Sequence, residues 1–248
     1  MGEPDQPSTA RMIDFWLGGQ HHFPVDVAAA SAFEQAYGPC APVFRELRAF
    51  LGRAVRAMVE QGVDGFLVFG AGVPTMGNVH EVATEATVLY TDVDPVTIRL
   101  GQSILAGSDR AGYGFGDATD IGSIDPAQLH RFVPGWGRRP VGVVFLGLAA
   151  FLDDATLTRT LDELYAAAAP GSLLAVDFDT EELAGHPQAL AMMGPQFRMR
   201  PPAAFAPLLG RWVPTADGIV PVVEWRPEGS PARVPDAFHG VLATRVED

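Results

Sequence analysis

Five short apolar runs, each stopped by glycine or aspartate and separated from the next by helical spacing, constrain this chain more than any other feature of it. The first, Gly65-Phe66-Leu67-Val68-Phe69, is too brief for a buried helix and ends in Gly70-Ala71-Gly72, so it reads as a parallel strand covered on both faces. Ahead of it, Pro42 to Gln61 places Phe44, Leu47, Leu51, Val55, Met58 and Val59 at three- and four-residue steps, the mark of an amphipathic helix. A short helix is expected near Asn78, then a strand from Thr87 to Thr91 closed by Asp92-Val93-Asp94-Pro95. Pro95 to Leu105 suits a helix with proline in its first turn. Strands follow at Tyr113 to Phe115 and Val141 to Leu146, a helix from Asp154 to Ala169, and a strand from Ser172 to Phe178. This alternation predicts an α/β doubly wound parallel sheet of the Rossmann-like kind. Near the end, Ile219 to Trp225 and Phe238 to Arg245 leave no room for a crossover helix and are expected to pair as an antiparallel hairpin.

Composition narrows the function. The chain has 248 residues, and all 17 of its basic side chains are arginine; without lysine, a Schiff base and a Walker A phosphate loop are excluded. A net charge of −13 disfavours a nucleic-acid partner, whose phosphates would be repelled. Cys40 is the single cysteine, so there is no disulfide framework and no cysteine zinc site, and no metal is expected. Met1 to Thr9 lacks the basic flank and apolar run of a secretory signal. No apolar span is long enough for a membrane helix. One cytoplasmic domain covering 1–248 is expected, with a small-molecule partner and no membrane partner.

In an open parallel sheet, ligands bind outside the carboxyl ends of the strands where strand order reverses. Gly70 and Gly72 lie at the first such end, where absent Cβ atoms let a loop approach a ligand closely. Asp92 follows Gly72 by 20 residues and closes the second strand, the spacing at which a carboxylate meets ribose hydroxyls. Asp117 closes the third and is placed to meet an adenine ring. A plain tight turn at the glycines and helix N-caps at Asp92, Asp94 and Asp117 are the competing structural readings. A nicotinamide dinucleotide would want a third glycine three residues after Gly72, and Val73-Pro74-Thr75 stand there instead. S-adenosylmethionine carries no phosphate and suits a glycine turn rimmed by carboxylates.

The segment Ala10-Arg11-Met12-Ile13-Asp14-Phe15-Trp16-Leu17-Gly18-Gly19, together with Asn78-Val79-His80-Glu81-Val82-Ala83, Val220-Pro221 and Trp225-Arg226-Pro227, resembles the actinobacterial S-adenosylmethionine-dependent methyltransferase family, formerly a domain of unknown function. The resemblance spans nearly the whole chain and implies a class I methyltransferase-like fold, S-adenosylmethionine as cofactor, and residues 1–40 folded over the pocket. Expected cofactor contacts are Gly70, Ala71, Gly72, Thr75, Asp92, Val93, Asp94, Asp117, Ala118 and Leu146. The chain departs from the family where Val68 replaces an acidic residue, Ile13 an aromatic one, His21-His22 an Asp-Asn pair, and Ala150 a histidine.

Methyl transfer draws much of its rate from holding nucleophile and sulfonium together. Where the acceptor must lose a proton, His21 or His22 is the candidate base, a surface-loop role being the alternative. His80 is expected to pack or cap, and Arg11 and Asp14, one helical turn apart, to pair locally. Residues 181–202 are too long for an ordinary connection and are expected to form part of a lid, with Met192 and Phe197 facing an apolar acceptor. Asp14, Trp16, Phe151 and Trp225 complete the expected acceptor contacts. The expected activity is methyl transfer to a small molecule of specialised metabolism. The alternatives are a methyltransferase fold repurposed for a non-methylating reaction such as cyclisation, and a binding module without turnover.

Overall fold

A computed structural model describes residues 4–247. Three helices open the chain: α1 (Thr9–Leu17), α2 (Pro24–Tyr37) and α3 (Ala41–Glu60). Then come β1 (Gly65–Phe69), α4 (Val79–Val82), β2 (Thr87–Asp92), α5 (Pro95–Ile104), β3 (Ala111–Phe115), α6 (Pro126–Phe132), β4 (Gly142–Phe145), α7 (Asp154–Ala167) and β5 (Leu173–Asp179). The last part holds α8 (Pro187–Met192), α9 (Pro202–Phe205), β6 (Val213–Pro214), β7 (Val220–Pro221) and β8 (Phe238–Thr244). The strands form one sheet in the order β3-β2-β1-β4-β5-β8-β6, with β7 also paired to β8. β1 to β5 are parallel. The chain works outward from β1 to β3 and then returns to place β4 on the other side of β1, so order reverses between β1 and β4. That is where a doubly wound sheet opens a cleft.

Residues of alternate parity face opposite layers, as the pleat requires. Phe66, Val68, Val88, Tyr90 and Val144 pack with Phe50, Leu51, Val55 and Met58 of α3. Leu67, Phe69, Leu89, Val143 and Phe145 pack instead with Phe132 of α6 and Leu157, Leu161 and Leu164 of α7. Both faces are apolar because helices cover both. Helix starts follow local chemistry: Pro95 occupies the first turn of α5, and Asp94 accepts the Val96 and Thr97 N–H groups at 3.1 and 3.0 Å.

The expected C-terminal antiparallel hairpin forms, but it is short. β8 pairs antiparallel with β5 over seven residue pairs, whereas only Val220 and Pro221 of the 219–225 run pair with β8. Pro221 has no N–H to donate, and one more backbone hydrogen bond, from the Val222 N–H to the Phe238 carbonyl (3.0 Å), closes the pairing. Beyond it, buried Arg53 donates to the carbonyls of Trp225 (2.7 Å) and Val222 (2.5 Å) and draws the segment off the sheet. The 181–202 segment forms a 3₁₀ turn at Glu181–Gly185 and then α8, and it packs against α2 through Leu183, Ala189 and Phe197 with Phe33 and Ala36.

Candidate functional site

A cavity of about 390 Å³ opens over the carboxyl ends of β1, β2 and β4. Its floor is the loop after β1. Gly70 and Gly72 have φ of 53° and 62°, a region that side chains rarely adopt, and a Cβ on Gly70 would fall 2.4 Å from Leu148 Cδ2. The loop is zipped to β2: Ala71 N–H donates to the Thr91 carbonyl (3.0 Å) and Gly72 N–H to Asp92 Oδ2 (3.1 Å). Asp92 Oδ1 accepts the Val93 and Asp94 N–H groups at 2.8 and 3.0 Å. Burial pushes the Asp92 carboxyl up, against the pull of those three donors. From below, Tyr113 Oη donates to the Gly72 carbonyl at 2.7 Å. Asp117 Oδ1 accepts the Thr119 N–H and hydroxyl, both at 2.8 Å. Asp117 Oδ2 makes no hydrogen bond among the described residues, so it stays open to a ligand donor.

The roof is α1 and its N-cap Ser8, with Thr9, Ala10, Ile13, Asp14 and Leu17 lining the cavity. Two polar staples hold it to the strand ends. Arg11, 2% exposed, pairs with the fully buried Asp26 (2.8 Å) and with Asp94 after β2 (3.2 Å). Asp14 accepts the Thr75 hydroxyl (2.5 Å), the His21 N–H (2.8 Å) and a hydrogen bond with His22 Nδ1 (2.9 Å). The expected local pair between Arg11 and Asp14 is therefore corrected: each reaches across to a different element, and between them they tie α1 to the loops after β1 and β2. Burial acts against the Asp94 carboxyl, but the Thr97 hydroxyl and N–H, the Val96 N–H and Arg11 outweigh it and hold it below the usual carboxylate range.

Of the expected contacts, Gly70, Ala71, Gly72, Asp92, Val93, Asp117, Ala118, Leu146, Asp14 and Phe151 line the cavity. Others do not. Asp94 caps α5 and binds Arg11, and Thr75 is turned to Asp14. His21 and His22 lie off the cavity wall, with His22 held on Asp14 and edge-on to Phe15 at 5.3 Å. Trp16 is buried against Phe44, stacked at 5.0 Å, and Trp225 is buried edge-on to Phe50 at 5.4 Å. Both tryptophans fill core because their apolar neighbours leave them no route to the cavity. Met192 is exposed, and Phe197 backs Phe151 from behind at 5.8 Å rather than lining the site. The 181–202 segment thus supports the wall instead of forming it. His80 packs as expected, its Nδ1 2.7 Å from Tyr90 Oη, and burial lowers its pKa.

Phe44, Leu47, Arg48, Leu51, Asn78, Tyr90, Gly147 and Leu148 also line the cavity and were not singled out as site residues from sequence. Arg48 had a legible signal. It lies on the Phe44, Leu47 and Leu51 stripe of α3, where a charge has no business in a purely structural helix. Its Nη1 donates to Asn78 Oδ1 at 2.8 Å, and no carboxylate forms an ion pair with it among the described residues.

A glycine turn zipped to a strand, carboxylates at the next two strand ends and a cleft at the switch point define a nucleoside-binding α/β fold of the class I methyltransferase kind. The chain belongs to the S-adenosyl methyltransferase family, whose profile matches residues 3–245, and S-adenosylmethionine is the cofactor of that family. The chain is similar to a DUF574 family protein from Streptomyces avermitilis MA-4680, at 28% identity and a TM-score of 0.87 over 97% of this chain and 98% of that one. It is also similar to a protein from Thermobifida fusca YX put forward as a methyltransferase, at 24% identity and a TM-score of 0.87 over 98% and 96%. Magnesium protoporphyrin IX methyltransferase from Synechocystis PCC 6803, a structure with bound S-adenosylhomocysteine, shares the fold at 14% identity and a TM-score of 0.57 over 88% and 94%. No protein of curated function matches the sequence. No described helix is long and apolar enough to cross a membrane.

Proposed function

We propose that this protein transfers a methyl group from S-adenosylmethionine to a small-molecule acceptor of specialised metabolism. The observation that carries the reading is the continuous wall of Gly70, Ala71, Gly72, Asp92, Asp117 and Ala118 over three successive strand ends. These residues fit an adenosyl group: two positive-φ glycines where a side chain would intrude, a carboxylate fixed at the end of β2, and an open carboxylate oxygen after β3. When bound, the cofactor supplies an electrophilic methyl carbon on a sulfonium, which leaves as the thioether. Asp92 is placed to accept from ribose hydroxyls, and Asp117 with the Ala118 backbone to flank the adenine.

Ile13, Leu17, Phe44, Leu47, Leu148 and Phe151 give the rest of the cavity an apolar lining, which keeps water from the reacting pair and fits a compact acceptor. The placement of His21 and His22 supports no base role. Holding the partners together is the contribution left to this chain's residues, an effect worth up to about 7–11 kcal/mol in favourable intramolecular models. The net charge of −13 disfavours nucleic acid as the acceptor; specialised metabolism rests on the actinobacterial resemblance.

Calorimetric titration with S-adenosylmethionine and S-adenosylhomocysteine tests the reading. Binding is expected for both, weakened about tenfold or more in Asp92→Ala, which loses a charge-assisted acceptor. An absence of binding at millimolar concentration contradicts it.

A further inference from the structure

The cavity lining includes one cation that forms no ion pair among the described residues. Arg48 projects from α3 into the wall formed by Tyr90 and Asn78, and burial lowers its pKa while Tyr90 and Glu81 oppose the shift. An arginine is still a cation at neutral pH. Its hydrogen bond to Asn78 Oδ1 is to a neutral group. The other end of that amide, Asn78 Nδ2, is buried without a partner although the residue lines the cavity and is 2% exposed. Unmet buried donors are costly, and here a guanidinium and an amide N–H₂ converge on one place. A carboxylate, with about four lone-pair positions and a taste for bidentate arginine, meets that demand.

The acidic side of the cavity is already engaged at the corresponding end. Both Asp14 oxygens are taken up by Thr75, His21 and His22, Asp92 accepts three backbone N–H groups, and β1 presents the apolar Val68 beside the glycine turn. An amino group on a bound ligand therefore finds there only carboxylates that already hold other donors, and none on β1. The loop that begins at Gly70 runs on to Asn78, so the donor pair stands at the far end of the same loop that would carry the adenosyl group.

We infer that Arg48 and Asn78 form a carboxylate subsite that grips the amino-acid end of the cofactor, so the cofactor is recognised through its carboxylate and hardly at all through its ammonium. The inference rests on the adenosyl reading above. A carboxylate on the acceptor is the other source of the same chemistry, and the ligand series separates the two.

Calorimetric titration of the whole protein compares four probes: S-adenosylhomocysteine, its decarboxylated analogue, its deaminated analogue, and 5′-methylthioadenosine. In the wild type, decarboxylation is expected to weaken binding about tenfold to a hundredfold, the worth of a charge-assisted hydrogen bond. Deamination is expected to change it by less than about threefold. Arg48→Gln should bring S-adenosylhomocysteine down to the level of the decarboxylated analogue and leave methylthioadenosine unchanged, and Arg48→Lys should recover part of the loss. If Arg48→Gln does not fold, the wild-type series decides alone.

The carboxylate assignment is overturned, with the adenosyl reading intact, if all four probes bind the wild type equally or if deamination costs as much as decarboxylation. Equal binding of all four would leave Arg48 to an acidic acceptor. Failure of every probe, methylthioadenosine included, overturns both readings.

Discussion

Arg11 and Asp26 are both almost fully enclosed, and neither can lose its partner cheaply. With Arg11 replaced, Asp26 keeps the N–H groups of Ser8 and Phe23 (both 2.9 Å) but loses the one cation that pairs with it among the described residues. Arg11→Met is therefore expected to destabilise the fold by about 3–5 kcal/mol, the usual cost of stranding one member of a buried ion pair. Urea unfolding measures it, and a loss under 1 kcal/mol, roughly the worth of a surface pair, would show the pair to be unimportant. Asp177 makes a pH-dependent case. It is buried on β5 with Oδ1 accepting the Gly147 N–H at 2.6 Å and Oδ2 without a partner, and burial pushes its carboxyl up to about 7 against that hydrogen bond. Between about pH 4 and 7 the folded chain holds a proton that the unfolded chain has released. The stability tied to this group is thus complete below the unfolded pKa and is lost as pH rises through 7. Asp177→Asn keeps an acceptor for Gly147 and cannot ionise. It should exceed the wild type at pH 8 by up to about 4 kcal/mol, at about 1.4 kcal/mol per pKa unit, and match it near pH 4; an equal offset at both pH values would contradict this.

Elements of regular period were legible in the sequence, and their partners were less so. The helix over Pro42 to Gln61 and the strand at Gly65 to Phe69 match α3 and β1 to within a residue, because an apolar stripe and a short run between breakers are local signals. The pairing of β8 with β5 was not visible. It joins residues roughly 65 positions apart, Leu173–Asp179 with Phe238–Thr244, and no local signal marks it. Distant contacts also misled the reading of the site. Trp225 looked like an acceptor contact, yet its ring is packed on Phe50 under the sheet. Trp225→Ala is accordingly expected to cost about 3–5 kcal/mol of stability while leaving the affinity for S-adenosylhomocysteine unchanged within about twofold. A stable variant with weakened binding would return Trp225 to the pocket. Backbone contacts such as Gly70, Gly72 and Asp92 were readable because their position after a strand is set by the sheet itself. Asn78 and the apolar wall were not, and Arg48 showed only as a charge on an apolar stripe, because they come from a helix and a loop whose approach to the strand ends is fixed by tertiary packing.

At the scale of the whole molecule, one sheet reverses its order between β1 and β4 and opens a cleft there, and α1 is fastened over that cleft by Arg11 and Asp14. The arrangement unites a floor set by the strand ends with a roof set by residues 8–17, so the pocket exists only when both are in place. A crystal structure of the protein with S-adenosylhomocysteine examines this most directly. The account predicts the nucleoside lying across the ends of β1, β2 and β3, its ribose hydroxyls on Asp92 and its adenine beside Asp117 and Ala118, beneath α1. A ligand bound elsewhere, or a cleft filled by the protein's own side chains while the ligand is present, would contradict it.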